Sequence, residues 1–426
     1  MREMKNSGID WIGLIPKDWS VCKVKDIFFR KNEKANNPEP VVLSLARSGV
    51  KVRDITNGEG QLAENYSNYN PVSINDLLLN PMDLYSGANC SISKVEGVIS
   101  PAYINLKAIG NNNSRYYDYY FKTQYWGMAL FAHGKGVSFD NRWTLNAETL
   151  MNYYLPLPTT REQEKIANFL DEKISEIDNA IGKTKETIEE YKKLKKSVVL
   201  EIMINGLDET AELKNSFVDW IGNIPKHWIK CKIKTVCEVG SGTTPQSGND
   251  LYYNETADNY WIQSGDIYGK KEIIDTKVMI TKQALSDYSA LKTYTSPYIV
   301  IAMYGGSVGN VAISKIDACT NQACGVLLPS SKVDINYLYY WLEVCKDDFL
   351  KTAEGGGQAN ISQDKIKNQF FLLCDLNEQK KIVNYLDSKC NEIDKLIESK
   401  EKIIDDLENY KRSVIYEYVT GKKEVK

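Results

Sequence analysis

Few side chains in this 426-residue chain stand in spacings that make or break covalent bonds. Its two histidines, His133 and His227, are too few for a histidine-based metal or catalytic cluster. Nine cysteines include no CxxC pair, so they read as reduced thiols and not as a disulfide frame or a zinc site. An adenine-modifying methyltransferase needs an Asn/Asp-Pro-Pro-aromatic loop. The nearest match, Asn80-Pro81-Met82-Asp83, lacks both the second proline and the aromatic ring. The run GSGTTPQSG at 240–248 lacks the Gly-Lys-Ser/Thr ending of a phosphate loop. Asp54, Asp266 and Asp317 form no nuclease-like cluster with lysine and read as loop and cap carboxylates. The chain does carry polar groups on glycine-containing loops, suited to recognition by hydrogen bonds. In the first half these are Arg47, Lys51 and Arg53 in RSGVKVR, and Lys135, Asn141 and Arg142 in GKGVSFDNR. In the second half they are Ser241, Thr243, Thr244 and Gln246, then Gln263 and Ser264, then Tyr304, Ser307 and Asn310, then Gln358 and Asn360. Arginine pairs with guanine, and Asn or Gln with adenine, through two hydrogen bonds worth about 1–3 kcal/mol against a wrong base. The competing use of each is a turn whose polar groups satisfy its own backbone.

Elements that would position these loops appear twice. DWIGLIPKDWSVCKVK at 10–25 returns as DWIGNIPKHWIKCKIK at 219–234, and EQEKIANFLDEKISEID at 162–178 returns as EQKKIVNYLDSKCNEID at 378–394. The first echo is offset by 209 residues and the second by 216. Between them Met82, Asn89, Ile92, Ser93 and Lys94 find Met303, Asn310, Ile313, Ser314 and Lys315 at an offset of 221. Changing offsets mark insertions in surface loops of a duplicated scaffold. The tyrosine-rich segments YYDYYF (116–121) and YLYYWL (337–342) are equivalent and helical in spacing, so they read as core helices, not base-stacking platforms. Trp11, Trp19, Trp220 and Trp228 read as anchors of each domain start.

Each copy ends in a long helix. Ile166, Leu170, Ile174, Ile177, Ile181, Thr184, Ile188, Tyr191, Leu194, Val198 and Ile202 step in threes and fours, and Ile382, Leu386, Cys390, Ile393, Ile397, Lys400, Ile404, Leu407, Tyr410, Val414 and Tyr418 repeat the stripe 216 residues on. That narrow apolar seam with charged flanks predicts coiled-coil packing, and Thr159/Glu162 and Asp375/Glu378 predict N-terminal capping. A parallel pairing would need a long return of the chain, whereas the linker at 205–214 spans at most about 35 Å, so the helices are expected to run antiparallel, the alternative being that each packs on its own domain. The expected organisation is a first domain at 1–158, a central helix at 159–204, a second domain at 205–374, a C-terminal helix at 375–420 and a tail at 421–426. The net charge is −3. The helical segments carry the acidic excess, and the domains are near neutral, so any sequence-independent attraction to phosphate is modest. No run of eighteen apolar residues appears, and the polar start MREMKNSG is unlike a signal peptide, so a cytoplasmic location with no membrane contact is expected.

The doubled DWIGxIPxxW starts, SGTTP (241–245), WIQSGDI (261–267), GGQANIS (356–362) and the two EQ-initiated helices together resemble the DNA-specificity subunit of type I restriction–modification systems, over nearly the whole chain. The resemblance implies an α+β fold with two mixed α/β target recognition domains. Two long helices would join them as an antiparallel coiled coil with pseudo-two-fold, tandem-repeat symmetry. It implies a non-catalytic subunit that reads a bipartite double-stranded DNA site, whose half-site spacing follows the length of the helices. The implied partners are two methyltransferase subunits, for adenine N6 methylation, and translocase–nuclease restriction subunits, for cleavage. S-adenosylmethionine, ATP and Mg²⁺ would belong to those partners, with no cofactor or metal in this chain. On this resemblance the loop residues above become the expected DNA contacts. The alternatives are the specificity part of a stand-alone or fused modification enzyme, and a coiled-coil scaffold that binds protein instead of DNA.

Overall fold

The computed structural model describes residues 2–37, 40–56, 63, 65–82, 84, 89–136, 143–253, 257, 259–352 and 360–425. It divides into two compact units, one comprising residues 1–185 and 401–426, the other residues 186–400. Both long helices form, at Thr160–Asn205 and Leu376–Val419, and each is divided between the units.

Each DWIG motif builds the same hairpin. In the first unit Met4–Asn6 pairs antiparallel with Leu14–Pro16, and in the second Leu213–Asn215 pairs with Asn223–Pro225. The turn closes when Ile12 and Gly13 donate to the Ile9 carbonyl, and when Ile221 and Gly222 donate to that of Val218. Gly13 and Gly222 hold φ of 66° and 69°, left-handed backbone that glycine adopts without steric cost.

The hairpin delivers a tryptophan to the start of a long helix. Trp19 and Trp228 are 1% and 0% exposed, and their indole Nε1–H groups donate to Glu162 at 2.8 Å and Glu378 at 2.9 Å. Expectation and structure differ here. The Thr159 hydroxyl does accept from the Glu162 N–H at 3.3 Å, but the glutamate carboxylate is spent on the tryptophan, with Arg2 also donating to Glu162. The glutamine of each EQ pair has its own task. Gln163 and Gln379 are fully buried, and their Oε1 atoms accept from the Asn113 and Asp334 N–H groups, both at 2.8 Å. Those residues open the tyrosine-rich helices Ser114–Trp126 and Ile335–Thr352. The two sequence echoes are therefore halves of one clamp: a half-buried carboxylate acceptor for the indole beside a buried amide for the next helix start.

A common sheet lies within each frame. Its order in the first unit is Phe28–Lys31, Ile104–Ala108, Leu77–Leu79, Cys90–Ile92, all antiparallel. In the second unit the equivalents are Cys237–Ser241, Cys324–Pro329, Tyr298–Ala302 and Val311–Ser314, with Glu272–Ile273 added in parallel. The units diverge where the sequence offset changes. The first inserts the hairpin Leu43–Ala46/Gly49–Val52 and the pair Asn70–Val72/Gly97–Ile99. The second inserts Asn259–Ile262, which pairs antiparallel with Met279–Ile280 and parallel with Ala318–Thr320. Tyr116, Tyr117, Tyr120, Tyr337 and Trp341 are at most 1% exposed, so these rings are core, as their helical spacing predicts.

Within each unit the helix segments run antiparallel. In the first, Lys411 pairs with Asp178 at 2.6 Å, and Tyr418 packs on the earlier Phe169 with ring centroids 4.4 Å apart. In the second, Lys195 pairs with Asp394 at 2.6 Å, and Gly206 lies beside the earlier Glu378. The first unit's core takes Val414, Ile415 and Val419 from the second helix, and the second unit's core takes Val199, Met203 and Ile204 from the first. Both helices thus serve each unit. The predicted seam is buried at Ile166, Leu170, Ile382 and Leu386, but Leu194 and Tyr410, equivalent positions in the two repeats, are 49% and 51% exposed. All nine cysteines are free thiols, and burial pushes Cys22, Cys237, Cys324 and Cys374 up to about 12.

Candidate nucleic-acid interface

In the second unit, sheet register gathers most of the expected contacts at one end. Ser241 pairs with Gly325 and Ala302 with Cys324, so the strand ends leading to the 241–246 loop and to Tyr304 lie side by side. Tyr304 forms a bridge with Asn360, and the Ile361 N–H donates to the Met303 carbonyl at 2.9 Å. Strand Asn259–Ile262 brings Gln263 and Ser264 beside the Ala318–Thr320 strand, and the Asn321 N–H closes on the Ile262 carbonyl at 3.1 Å. Two residues absent from the expected set join them. Gln322 accepts a hydrogen bond from the Thr244 hydroxyl, and Gln363 Nε2 donates to Ser241 Oγ at 2.6 Å. Sequence reading missed both because neither lies in a glycine-rich loop. Their only signal is an amide in a strand-to-strand turn for Gln322 and at a helix start for Gln363, which many such positions share.

The 241–246 loop is held through its backbone by aromatic side chains. Tyr294 OH donates to the Ser241 carbonyl at 2.9 Å, Trp261 Nε1 to that of Thr243 at 3.3 Å, and Tyr253 OH to that of Pro245 at 2.7 Å. The Gln246 N–H donates to Tyr288 OH at 3.0 Å. Gly242 is required by close approach, since a Cβ there would lie 1.7 Å from the Thr320 carbonyl oxygen. Turns of this composition usually satisfy their backbone with their own polar side chains. Here rings from neighbouring elements do so, and among the described residues the side chains of Thr243 and Gln246 make no hydrogen bond. The result is a preorganised loop in which the Thr243 and Gln246 side chains are available to a ligand.

Other positions divide. Asn310 Oδ1 is engaged by Lys346 Nζ, and Ser307 ends the short 3₁₀ turn Gly305–Ser307, so both support the loop around Tyr304. In the first unit Arg47 lies at the exposed turn between Leu43–Ala46 and Gly49–Val52, with Lys51 exposed on the second strand. Arg53 is half-buried, and its N–H donates to the Val42 carbonyl at 2.8 Å. Gly49 sits against Ser91, which places this hairpin beside the Cys90–Ile92 strand. Lys135 is exposed and bridges to Thr144, whose neighbour Leu145 donates to the Pro81 carbonyl at 2.9 Å. The Arg47 and Lys51 hairpin thus neighbours the edge strand Cys90–Ile92, and the Lys135 bridge lies near the residues that follow Leu77–Leu79. Asn141, Arg142 and Gln358 lie outside the described residues.

The three carboxylates read as loop and cap groups act that way. Asp54 accepts from the Thr56 hydroxyl and N–H, which hold its carboxyl below the usual range. Asp317 is held below it by the Ser296 N–H at 2.7 Å. Asp266 accepts from the Gln263 N–H at 2.9 Å. Asn80, in the sequence nearest a methyltransferase loop, accepts from the Met82 N–H at 3.0 Å as an ordinary turn. Among the described residues no group of His, Cys, Asp and Glu has the arrangement to hold a metal ion, and no helix is long and apolar enough to cross a membrane.

Two stretches of the chain, residues 16–190 and 225–409, match the type I restriction modification DNA specificity domain. A Methanocaldococcus jannaschii protein, the type I restriction enzyme MjaVIII specificity subunit, is 28% identical, with 97% of this chain and 94% of that protein covered. A solved chain from work on complex assembly and conformational transition of the type I restriction–modification system shares the fold. Its TM-score is 0.72 at 15% identity, over 95% of this chain and 98% of that one. The HsdS subunit of Thermoanaerobacter tengcongensis gives 0.52 at 16% identity, over 96% and 98% of the two chains. With one such domain matched in each half, around the clamp and sheet that the two units share, the chain belongs to the type I restriction–modification DNA specificity family.

Proposed function

We propose that this chain is the DNA-reading subunit of a type I restriction–modification complex and is itself non-catalytic. Its two units would each read one half of a split double-stranded site. The observation that carries this reading is a shared frame with different loop chemistry at its edges. The first unit presents Arg47, Lys51 and Lys135, cations suited to guanine and phosphate. The second presents hydroxyls and amides from Ser241, Thr243, Thr244, Gln246, Gln263, Tyr304 and Asn360, suited to reading base edges with little net charge. Two different readers call for an asymmetric bipartite target. In this reading two methyltransferase subunits supply S-adenosylmethionine chemistry for adenine N6 methylation, restriction subunits supply ATP- and Mg²⁺-dependent cleavage, and the assembly works in the cytoplasm. The test is a genome-wide map of 6-methyladenine with and without the gene. Loss of one split motif is the expected result, and an unchanged map overturns the proposal.

A further inference from the structure

We propose that Gln322 sets the identity of one base in the second unit's half-site, selecting guanine because Thr244 fixes which end of its amide is presented. This rests on the DNA-reading function proposed above and adds a residue and a chemical rule to it. Gln322 is exposed at the tip of the turn between Ala318–Thr320 and Cys324–Pro329. That turn is closed by Asn321, whose side chain accepts from the Ala323 N–H at 3.1 Å and whose carbonyl accepts from the Cys324 N–H at 3.2 Å. Gln322 is therefore free of backbone duty. The Thr244 hydroxyl donates to its Oε1, and Thr244 belongs to the loop held by Tyr294, Trp261, Tyr253 and Tyr288.

A free glutamine reads adenine by accepting from the N6 amine while donating to N7. The Thr244 hydroxyl takes one lone pair of the Gln322 carbonyl oxygen and anchors that end of the amide against the 241–246 loop, so the end left facing away from the loop is the NH2 group. That outward NH2 group matches the adjacent O6 and N7 acceptors of guanine, whereas at adenine N6 or cytosine N4 it meets another donor. The tether thus converts an adenine reader into a guanine reader without a charged side chain.

The test uses the full-length chain with its methyltransferase subunits on a duplex library randomised across both half-sites, with sequencing of the bound DNA. The wild type is expected to enrich guanine at one position that Gln322→Glu shifts toward cytosine or adenine by about tenfold, since a carboxylate only accepts. Thr244→Val frees the amide to turn, and the guanine-to-adenine ratio at that same position is expected to fall about tenfold. The other half-site, still read, reports an intact fold. Both variants keeping the wild-type profile, or weakening every position alike, overturns the assignment while leaving the proposed function standing. A wild type that enriches no split site overturns that function and this assignment with it.

Discussion

Replacing Trp228 with Phe in the full-length chain is expected to weaken the second unit by about 1.5–3 kcal/mol and to leave the first unit unchanged. Trp228 is fully buried, and its indole donates to Glu378 Oε1 at 2.9 Å. Phenylalanine keeps most of the apolar contact but removes the donor, and a hydrogen bond to a charged group contributes about 1.5–3 kcal/mol. The Glu378 side chain is 27% exposed, so water recovers part of that loss and the lower end of the range applies. A double-mutant cycle with Glu378→Ala separates the hydrogen bond from the smaller ring's packing defect. Unfolding in urea, followed by hydrogen exchange on peptides from each unit, resolves the two halves. Coupling below about 0.5 kcal/mol would show that the tryptophan and glutamate are mere neighbours and would refute the clamp.

Two other perturbations test different parts of the structure. Burial raises the Glu343 carboxyl above its ordinary value despite Lys346, Lys195 and Lys196 nearby, so the folded state holds its proton longer than the unfolded chain does. Stability should therefore fall as pH rises from the ordinary glutamate range to the raised value, and Glu343→Gln should remove that loss in urea titrations between pH 4 and about 8. Gly242→Ala places a methyl group against the Thr320 carbonyl, 1.7 Å away. It is expected to cost about 1–3 kcal/mol and to weaken binding of the second half-site, read by gel shift, while unchanged affinity would remove this loop from the reading surface.

The frame was legible in the sequence because it is written twice. The long helices lie within a residue or so of their predicted bounds, since a seam repeated over forty residues leaves little freedom of phase. The tyrosine helices were legible as core for the same reason. The purpose of the EQ pair was hidden, because a capping pattern is local whereas the partners Trp19 and Trp228 lie 143 and 150 residues away. Leu194 and Tyr410 left the seam, which periodicity along one helix does not reveal without its partner. Loop residues were the least legible. Thr243 and Asn310 look alike as polar groups near glycine, yet one is unengaged and the other is held by Lys346. That difference is decided by neighbours far away in the chain.

The aromatic suspension of the 241–246 loop also bears on how such a protein diversifies. Because Tyr294, Trp261, Tyr253 and Tyr288 grip main-chain atoms, the loop's shape does not depend on which side chains Thr243, Thr244 and Gln246 carry. Under the proposed reading, substitutions there would change the DNA preference without first eroding foldability. On that reading a lineage could drift from one recognised sequence to another through folded intermediates, with Gly242 closed to such change by the Thr320 carbonyl.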